Sequence, residues 1–250
     1  MQNKSYVRLR QVCLATLDIR GIEGKISRIL GQSPCHREQL EHFGLENSMF
    51  AVGGSFIELV APTHENTAVH RFLKRNSGVG GYMAIFDCDN VADRKLAAEK
   101  LGIIPVFERN DEHADLLQLD PKETGVTLVE FDHHYGGEDR FGNYHWAGND
   151  WKDNLNPNVD IIGVTMNCLN KTEKSEQWSE LFGATPMDLS LSLDHGQINF
   201  THSSAKDYFG SMHLACEAPD TILKAAENEG LSVESNNFEL AGLKWTINSK

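Results

Sequence analysis

Apolar and polar positions along the chain repeat one pattern four times. Each copy begins with an apolar strand, continues into a helix that ends at a glycine, and finishes with further strands. The first helix is the most clearly amphipathic, because Ile22, Ile26 and Ile29 recur at helical spacing. The four opening strands are predicted at Val7–Leu17, Tyr82–Asp87, Ile161–Cys168 and Met212–Cys216.

Glycine and capping residues predict where these helices begin and end. A glycine without a Cβ tolerates the left-handed conformation that often follows the last helical turn. Asp89 or Asn90 is expected to cap the second helix, Thr172 the third, and Pro219 to open the fourth. The four helices are predicted to end at Gly31, Gly102, Gly183 and Gly230.

The spacing of equivalent positions indicates duplicated units. Gln11 and Glu58 are 47 residues apart, and Met83 and Glu130 are also 47 residues apart. A fixed internal period is typical of repeated supersecondary structure. We therefore predict an α+β fold built from four βαβββ modules.

Residues 148–159 interrupt the pattern. They are rich in Asn, Asp, Gly and Pro and lack apolar periodicity, as is common in linkers. We predict an N-terminal domain over residues 1–147 that holds the site, a linker over 148–159, and a C-terminal domain over 160–250.

Composition narrows the class of protein. A net charge of -13 over 250 residues argues against a nucleic-acid partner, because no basic stripe is present to neutralise phosphates. No apolar run reaches the roughly 18 residues of a membrane span, and the N-terminus lacks a signal-like apolar segment. Five cysteines without CxxC spacing predict reduced thiols. We expect a cytoplasmic protein that binds neither membrane nor nucleic acid.

Three sequence stretches carry a family resemblance. FAVGGSFIELVAP, RFLKRNSGVGGYMAIFDCDNV and DPKETGVTLVEFD resemble the vicinal oxygen chelate superfamily, which includes glyoxalases, methylmalonyl-CoA epimerases, bleomycin-resistance proteins and extradiol dioxygenases. The resemblance implies two glyoxalase-like domains with open, cup-shaped mixed sheets. It does not define the reaction, because this scaffold hosts many chemistries.

The resemblance also implies a metal set in the N-terminal domain. The matching positions are Gln11, Glu58, Met83 and Glu130, and Met83 stands where a histidine is expected. Gln11, Glu58 and Glu130 would then ligate Mn, Ni, Zn, Mg or Fe together with water or His134. The thioether of Met83 leaves both a metal-bound and a metal-free site open.

The C-terminal domain matches the metal positions poorly. A lone histidine on a strand is more often a hydrogen-bonded structural residue than a ligand. We expect this domain to be a degenerate copy that supports the first by packing. Its equivalent residues are Gly163, Asn199, His213 and Ile247.

Two glutamates and an aromatic loop are the candidate catalytic and substrate-binding features. Glu58 and Glu130 lie within apolar strand sequences, where burial would raise a carboxyl pKa and suit proton abstraction next to a carbonyl. The alternative is that these glutamates face solvent or pair with Arg8 or Arg10. The loop over residues 133–151 is expected to fold back, either as a lid or as an interdomain strap. The substrate contacts predicted are Tyr82, Met83, His134, Tyr144, His145 and Trp146.

These features support different functions. The first is a divalent-metal-assisted lyase, isomerase or epimerase acting on a small oxygenated substrate, with Glu58 and Glu130 catalytic. The second is a metal-free binding protein of the bleomycin-resistance type, and the third is a dioxygenase-like protein. All three imply a small-molecule ligand, and a monomer or a homodimer fits each of them.

Overall fold

The computed structural model describes residues 5–250. Fourteen strands and six α-helices are found in this part of the chain, with short 3-10 turns between some of them. The strands are β1 Val7–Thr16, β2 His36–Leu40, β3 Leu45–Val52, β4 Ser55–Pro62, β5 Val79–Cys88, β6 Pro105–Asn110, β7 Ala114–Leu119, β8 Leu128–His134, β9 Val159–Cys168, β10 Ser190–Ser192, β11 Gln197–His202, β12 Tyr208–Cys216, β13 Asn237–Leu240 and β14 Leu243–Ser249. The helices are α1 Ile19–Leu30, α2 Ala68–Arg75, α3 Val91–Lys100, α4 Pro121–Thr124, α5 Lys171–Phe182 and α6 Pro219–Asn228.

The strands form two mixed sheets. The eight-stranded sheet has the order β2-β3-β4-β1-β5-β8-β7-β6, and the six-stranded sheet has the order β10-β11-β9-β12-β14-β13. The first two modules each place three strands after the opening helix, whereas the last two place only two there. The α+β fold predicted from the sequence is confirmed.

The opening and closing strands of each module pair in parallel. Gln11 is the Cα partner of Phe56 in the β1–β4 pair, and Met83 is the partner of Leu128 in the β5–β8 pair. Both partners are 45 residues apart (56 − 11 and 128 − 83). The repeat seen in the sequence is therefore a repeat in strand register.

Helix ends follow the glycine pattern, and one helix start differs from the prediction. Gly31 and Gly183 follow their helices with φ of 66° and 64°. Asn90 caps α3 as predicted, because its side chain accepts from the backbone N–H of Ala92. The prediction that Thr172 caps α5 is wrong: Asn170 caps it by accepting from Glu173 N–H, and Thr172 lies inside the helix.

The chain divides into two compact units. The first comprises residues up to Arg10, Met83–His145 and Ile162–Gly210. Its apolar core includes an aromatic group in which the Phe182 ring lies 4.7 Å from that of Phe86 and 5.0 Å from that of Phe131. Each unit thus takes segments from both sides of residues 148–159, and the division into domains 1–147 and 160–250 stays a prediction.

The second unit comprises Gln11–Tyr82, Trp146–Ile161 and Ser211–Lys250. Within the segment expected to be a linker, Trp151 is buried and its ring meets that of Phe56 edge-on at 5.1 Å. Trp151 therefore makes the 148–159 segment a contributor to the core of this unit.

An ion pair joins two helices of the same unit. Arg28 on α1 pairs with Glu229 at the end of α6 at 2.5 Å.

Two further sequence expectations concern cysteines and membranes. The five cysteines, which all lie in the described part of the chain, form no disulfide. Over residues 5–250, none of the helices has the length and apolar character needed to cross a membrane.

Candidate functional site

Glu58 lies in a buried polar cluster of the second unit. Because β1 and β4 run in parallel, Gln11 and Glu58 fall on one face of the sheet. The Gln11 side chain donates from Nε2 to Glu58 Oε2 at 2.7 Å. The structure therefore brings together two of the site residues named from the sequence.

Asn47 completes this cluster and was not predicted. Its Nδ2 donates to Glu58 Oε1 at 2.8 Å, while its Oδ1 accepts from the backbone N–H of Glu38 at 2.9 Å. The second contact fixes which end of the amide faces Glu58. The one sequence signal for Asn47 was that it is a polar residue in the largely apolar strand β3. This pattern does not indicate which residue its side chain contacts.

Burial sets the protonation behaviour of Glu58. Glu58 is 7% exposed, and desolvation raises the pKa of its carboxyl above the ordinary value. Hydrogen bonds from Asn47, Cys13 and Gln11 act in the opposite direction, but burial is the largest influence. These three partners are neutral, so they orient the carboxyl without the full stabilisation that an adjacent cation would give to its ionised form.

Met83 and Glu130 belong to the first unit. Both are buried, and Glu130 Oε2 accepts from Gln118 Nε2 at 2.7 Å across the β7–β8 pair. Each predicted catalytic glutamate therefore receives a hydrogen bond from a side-chain amide. The two glutamates do so in different units of the chain.

Tyr82 and Trp146 belong to the second unit. The Tyr82 ring meets Phe72 edge-on at 5.1 Å and is half-buried. Trp146 is half-buried at the short turn His145–Ala147. Their predicted contact with substrate stays a prediction.

His134, Tyr144 and His145 cluster in the first unit. His134 Nε2 lies 3.2 Å from Asp132 Oδ2, and His134 Nδ1 accepts from the backbone N–H of His145 at 3.0 Å. The rings of His134 and Tyr144 are 4.4 Å apart. Burial, reinforced by the nearby charge of Arg10, lowers the pKa of His134 to about 3, so this imidazole is neutral at physiological pH.

Arg8 and Arg10 pair with Asp87 and with the loop that follows β8. Arg8 forms a two-pronged contact with Asp87, with Nε–Oδ1 and Nη2–Oδ2 distances of 2.9 and 2.6 Å. Arg10 Nε lies 3.8 Å from Asp87 Oδ2. Glu58 is instead hydrogen-bonded by Gln11, Asn47 and Cys13.

The predicted metal ligands do not form a coordination shell. Both oxygens of Glu58 accept from amide groups, Gln11 presents nitrogen to it, and Glu130 Oε2 accepts from the Gln118 amide. Within residues 5–250, no group of three or more His, Cys, Asp or Glu side chains is placed to hold a metal ion. A divalent cation needs several converging oxygen or nitrogen ligands. The donor set around Glu58 therefore does not fit a divalent metal.

The equivalent C-terminal positions make ordinary structural contacts. Asn199 accepts from the Ser190 hydroxyl at 2.8 Å. The His213 Nε2 and Ser211 Oγ atoms are 3.2 Å apart, and burial lowers the pKa of His213. These contacts fit the expectation of a hydrogen-bonded structural histidine.

Comparisons with known proteins identify the fold. No protein-family model matches the chain. An uncharacterized protein of Bacillus subtilis, YqjC, is 25% identical over 126 residues, which cover 49% of this chain and 89% of that protein. A crystal structure of a hypothetical protein from Staphylococcus aureus aligns with a TM-score of 0.68 at 10% identity, covering 98% of this chain and 99% of that one.

A further solved structure aligns with about half of the chain. Methylmalonyl-CoA epimerase from Mycobacterium tuberculosis is 23% identical with a TM-score of 0.47, over 54% of this chain and 93% of that one. The full-length alignment with the Staphylococcus aureus structure, together with the paired parallel modules, gives the chain an α+β fold. The fold alone does not define the reaction, because one scaffold can host many chemistries.

Proposed function

We propose that this protein acts on a small oxygenated molecule by proton transfer at Glu58, as an isomerase or epimerase. One observation carries the proposal: the buried Glu58 carboxyl is held by Gln11 and Asn47 through hydrogen bonds of 2.7 and 2.8 Å. A carboxyl fixed in this way by neutral groups is oriented and remains able to exchange its proton.

Desolvation makes Glu58 a stronger base than an exposed carboxylate. Its raised pKa means that the ionised form takes up a proton more readily. In the proposed step, the Glu58 carboxylate removes a proton from the carbon beside a carbonyl. Removal of the proton leaves an enolate. A proton returned to the opposite face of the same carbon gives the epimer. A proton returned to the former carbonyl carbon, with the hydroxyl proton of the neighbouring carbon passing to the carbonyl oxygen, gives the isomer.

The remaining predicted residues take secondary roles in this proposal. Glu130 is the second candidate proton-transfer group, because Gln118 holds it as Gln11 holds Glu58. Contact with substrate is proposed for Tyr82, Met83, His134, Tyr144, His145 and Trp146.

Hydrogen exchange at carbon tests the proposal directly. The purified protein is incubated in D₂O with 2-substituted acyl thioesters and α-hydroxy ketones, and loss of the proton beside the carbonyl is followed by NMR. We expect exchange of at least one compound by the native protein and its loss in Glu58→Gln. The matched control is Glu46→Gln, since Glu46 also lies on this part of the sheet but pairs with Arg20. Exchange that survives Glu58→Gln would refute the assignment.

Metal-free ligand binding without turnover is the second candidate. It is favoured by the observation that amide groups already engage both Glu58 oxygens. This alternative predicts a ligand-induced rise in melting temperature with no carbon-bound hydrogen exchange. It also predicts that Glu58→Gln changes affinity and leaves the ligand unaltered.

A further inference from the structure

Two buried arginines of the first unit are covered by loop backbone. Arg8 donates from Nη1 to Glu138 O at 2.9 Å and from Nη2 to Gly137 O at 3.0 Å. Arg10, which is 1% exposed, donates from Nη1 to Arg140 O at 2.6 Å. Three carbonyl oxygens of one short segment therefore lie on two guanidinium groups.

The same loop also covers His134. The backbone N–H of His145 donates to His134 Nδ1 at 3.0 Å, while Asp132 lies beside Nε2 at 3.2 Å. The loop thus presents acceptors to the arginines and a donor to the imidazole. These are the kinds of contact that a ligand with a charged oxygen group and a hydroxyl would make.

The cover is built from turns. Residues 135–144 contain no helix or strand, and three glycines occur among them, at positions 136, 137 and 142. Gly136 has a φ of 80°, which disfavours any residue with a side chain. Phe141, near the middle of the segment, is 47% exposed and contributes little to the core. Opening such a loop costs less than opening a strand.

We propose that residues 136–145 are a displaceable cover over a binding site for a small carboxylate, held by Arg8 and Arg10 with His134 beside it. A ligand carboxylate would replace the loop carbonyls on the guanidinium groups, and a ligand hydroxyl would replace the His145 N–H on His134. The anchors of this site, Arg8 and Arg10, take no part in the proposed proton transfer at Glu58.

The surroundings favour a planar ligand group of low charge. The Tyr144 ring lies 4.7 Å from the Arg10 guanidinium carbon and covers its face, so hydrogen bonds form at the guanidinium edge. A planar carboxylate matches an in-plane fork. Asp87 and Asp132 are both buried nearby and would repel a doubly charged group more strongly than a single carboxylate.

The loop can be loosened without touching the arginines. A Cβ added at Gly142 would lie 2.5 Å from Gly136 O and 2.9 Å from Asp139 O, both backbone atoms. Gly142→Ala is therefore expected to destabilise the closed loop. This substitution lowers the free energy needed to open the loop, so a larger fraction of the protein is open and able to bind. The apparent affinity for the ligand should therefore increase by about tenfold.

Lactate and acetate are the carboxylate probes, and inorganic phosphate is the comparison ion. Binding to the full chain is measured by calorimetry, and loop opening by the rate of trypsin cleavage after Arg140. We expect lactate to bind, to accelerate this cleavage, and to bind more tightly to Gly142→Ala. Arg10→Lys retains the charge but loses the fork, so it should weaken lactate binding by about tenfold.

The outcomes separate the site from a purely structural loop. If Gly142→Ala is cleaved faster yet binds no carboxylate, the loop opens without a site beneath it and the proposal is wrong. Equal binding of lactate and phosphate that persists in Arg10→Lys would also overturn it, since it would indicate a non-specific surface ion. A Glu58→Gln variant should bind lactate normally, so failure of the proposed isomerase leaves this test intact.

Discussion

Asn47 and Glu58 are joined by a 2.8 Å hydrogen bond from the Asn47 amide to the Glu58 carboxyl. Asn47 is held in turn by the backbone of β2, through the N–H of Glu38. The edge of the sheet thus determines the orientation of the buried carboxyl two strands away. No sequence motif pointed to Asn47, although its amide is one of the two that orient the carboxyl of Glu58, the candidate base.

Removing the Asn47 amide should weaken the protein and change Glu58. Asn47→Ala leaves Glu58 Oε1 without this donor, and a lost partner of a buried polar group costs about 1–3 kcal/mol. The pKa of Glu58 should rise further, because the Asn47 hydrogen bond lowers it. Urea denaturation measures the first effect and carboxyl NMR the second. Gln39→Ala, an exposed change on the adjacent strand, is the control and should leave both unchanged.

Glu58 should also make stability depend on pH. The folded-state pKa lies above the unfolded value of about 4.3, so the unfolded chain gives up its proton first as pH rises. Glu58 therefore lowers the free energy of unfolding progressively from about pH 4.3 up to its folded pKa, and its contribution is constant above that. Glu58→Gln should remove this fall. Denaturation curves at a series of pH values check it, and parallel curves for the two proteins would contradict the assignment.

The local sequence pattern predicted the parts of the fold that depend on short-range rules. Glycine positions gave the ends of the helices, as at Gly31 and Gly183, and the 47-residue period gave equivalent strand positions such as Glu58 and Glu130. Gln11 and Glu58, named together as metal ligands from the family resemblance, lie on one face of adjacent parallel strands and are hydrogen-bonded, and their predicted role as ligands stays a prediction. Thr172 was the wrong cap because the asparagine two residues earlier competes for the same role.

The sequence pattern did not predict contacts between residues that lie far apart along the chain. Arg8 and Arg10 belong to no recognisable sequence motif. Their backbone partners, Glu138 and Arg140, each lie 130 residues further along the chain. The contact is to backbone carbonyls, which every residue carries, so side-chain identity contains no signal for it. For the same reason the sequence left open whether the loop after β8 is a lid or a strap.

Phe182 should be a key core residue of the first unit although it lies beyond residues 148–159. Its ring packs within 5.0 Å of both Phe86 and Phe131. Phe182→Ala should reduce the free energy of unfolding by about 3–5 kcal/mol, as large-to-small core changes do. The exposed Tyr208→Ala is the matched control and should cost much less. A small effect of Phe182→Ala would show that residues 83–145 are stable without this contact.

The metal content of the purified protein tests two opposing predictions. The family resemblance implies a bound divalent ion, whereas the side chains around Glu58 predict none. In this structure Gln11 Nε2 and Asn47 Nδ2 point at Glu58, so a metal ion at Glu58 would face two amide N–H groups and would require both amides to turn. Turning Asn47 would also break its bond to the Glu38 N–H. We therefore expect elemental analysis of the native protein, incubated with Mn, Ni, Zn, Mg and Fe and then dialysed, to find far less than one ion per chain. Asn47→Asp supplies a second carboxylate beside Glu58 and should raise the bound amount. Stoichiometric metal in the native protein that is lost in Glu58→Gln would show that the amides do turn, and would return the metal to the reaction.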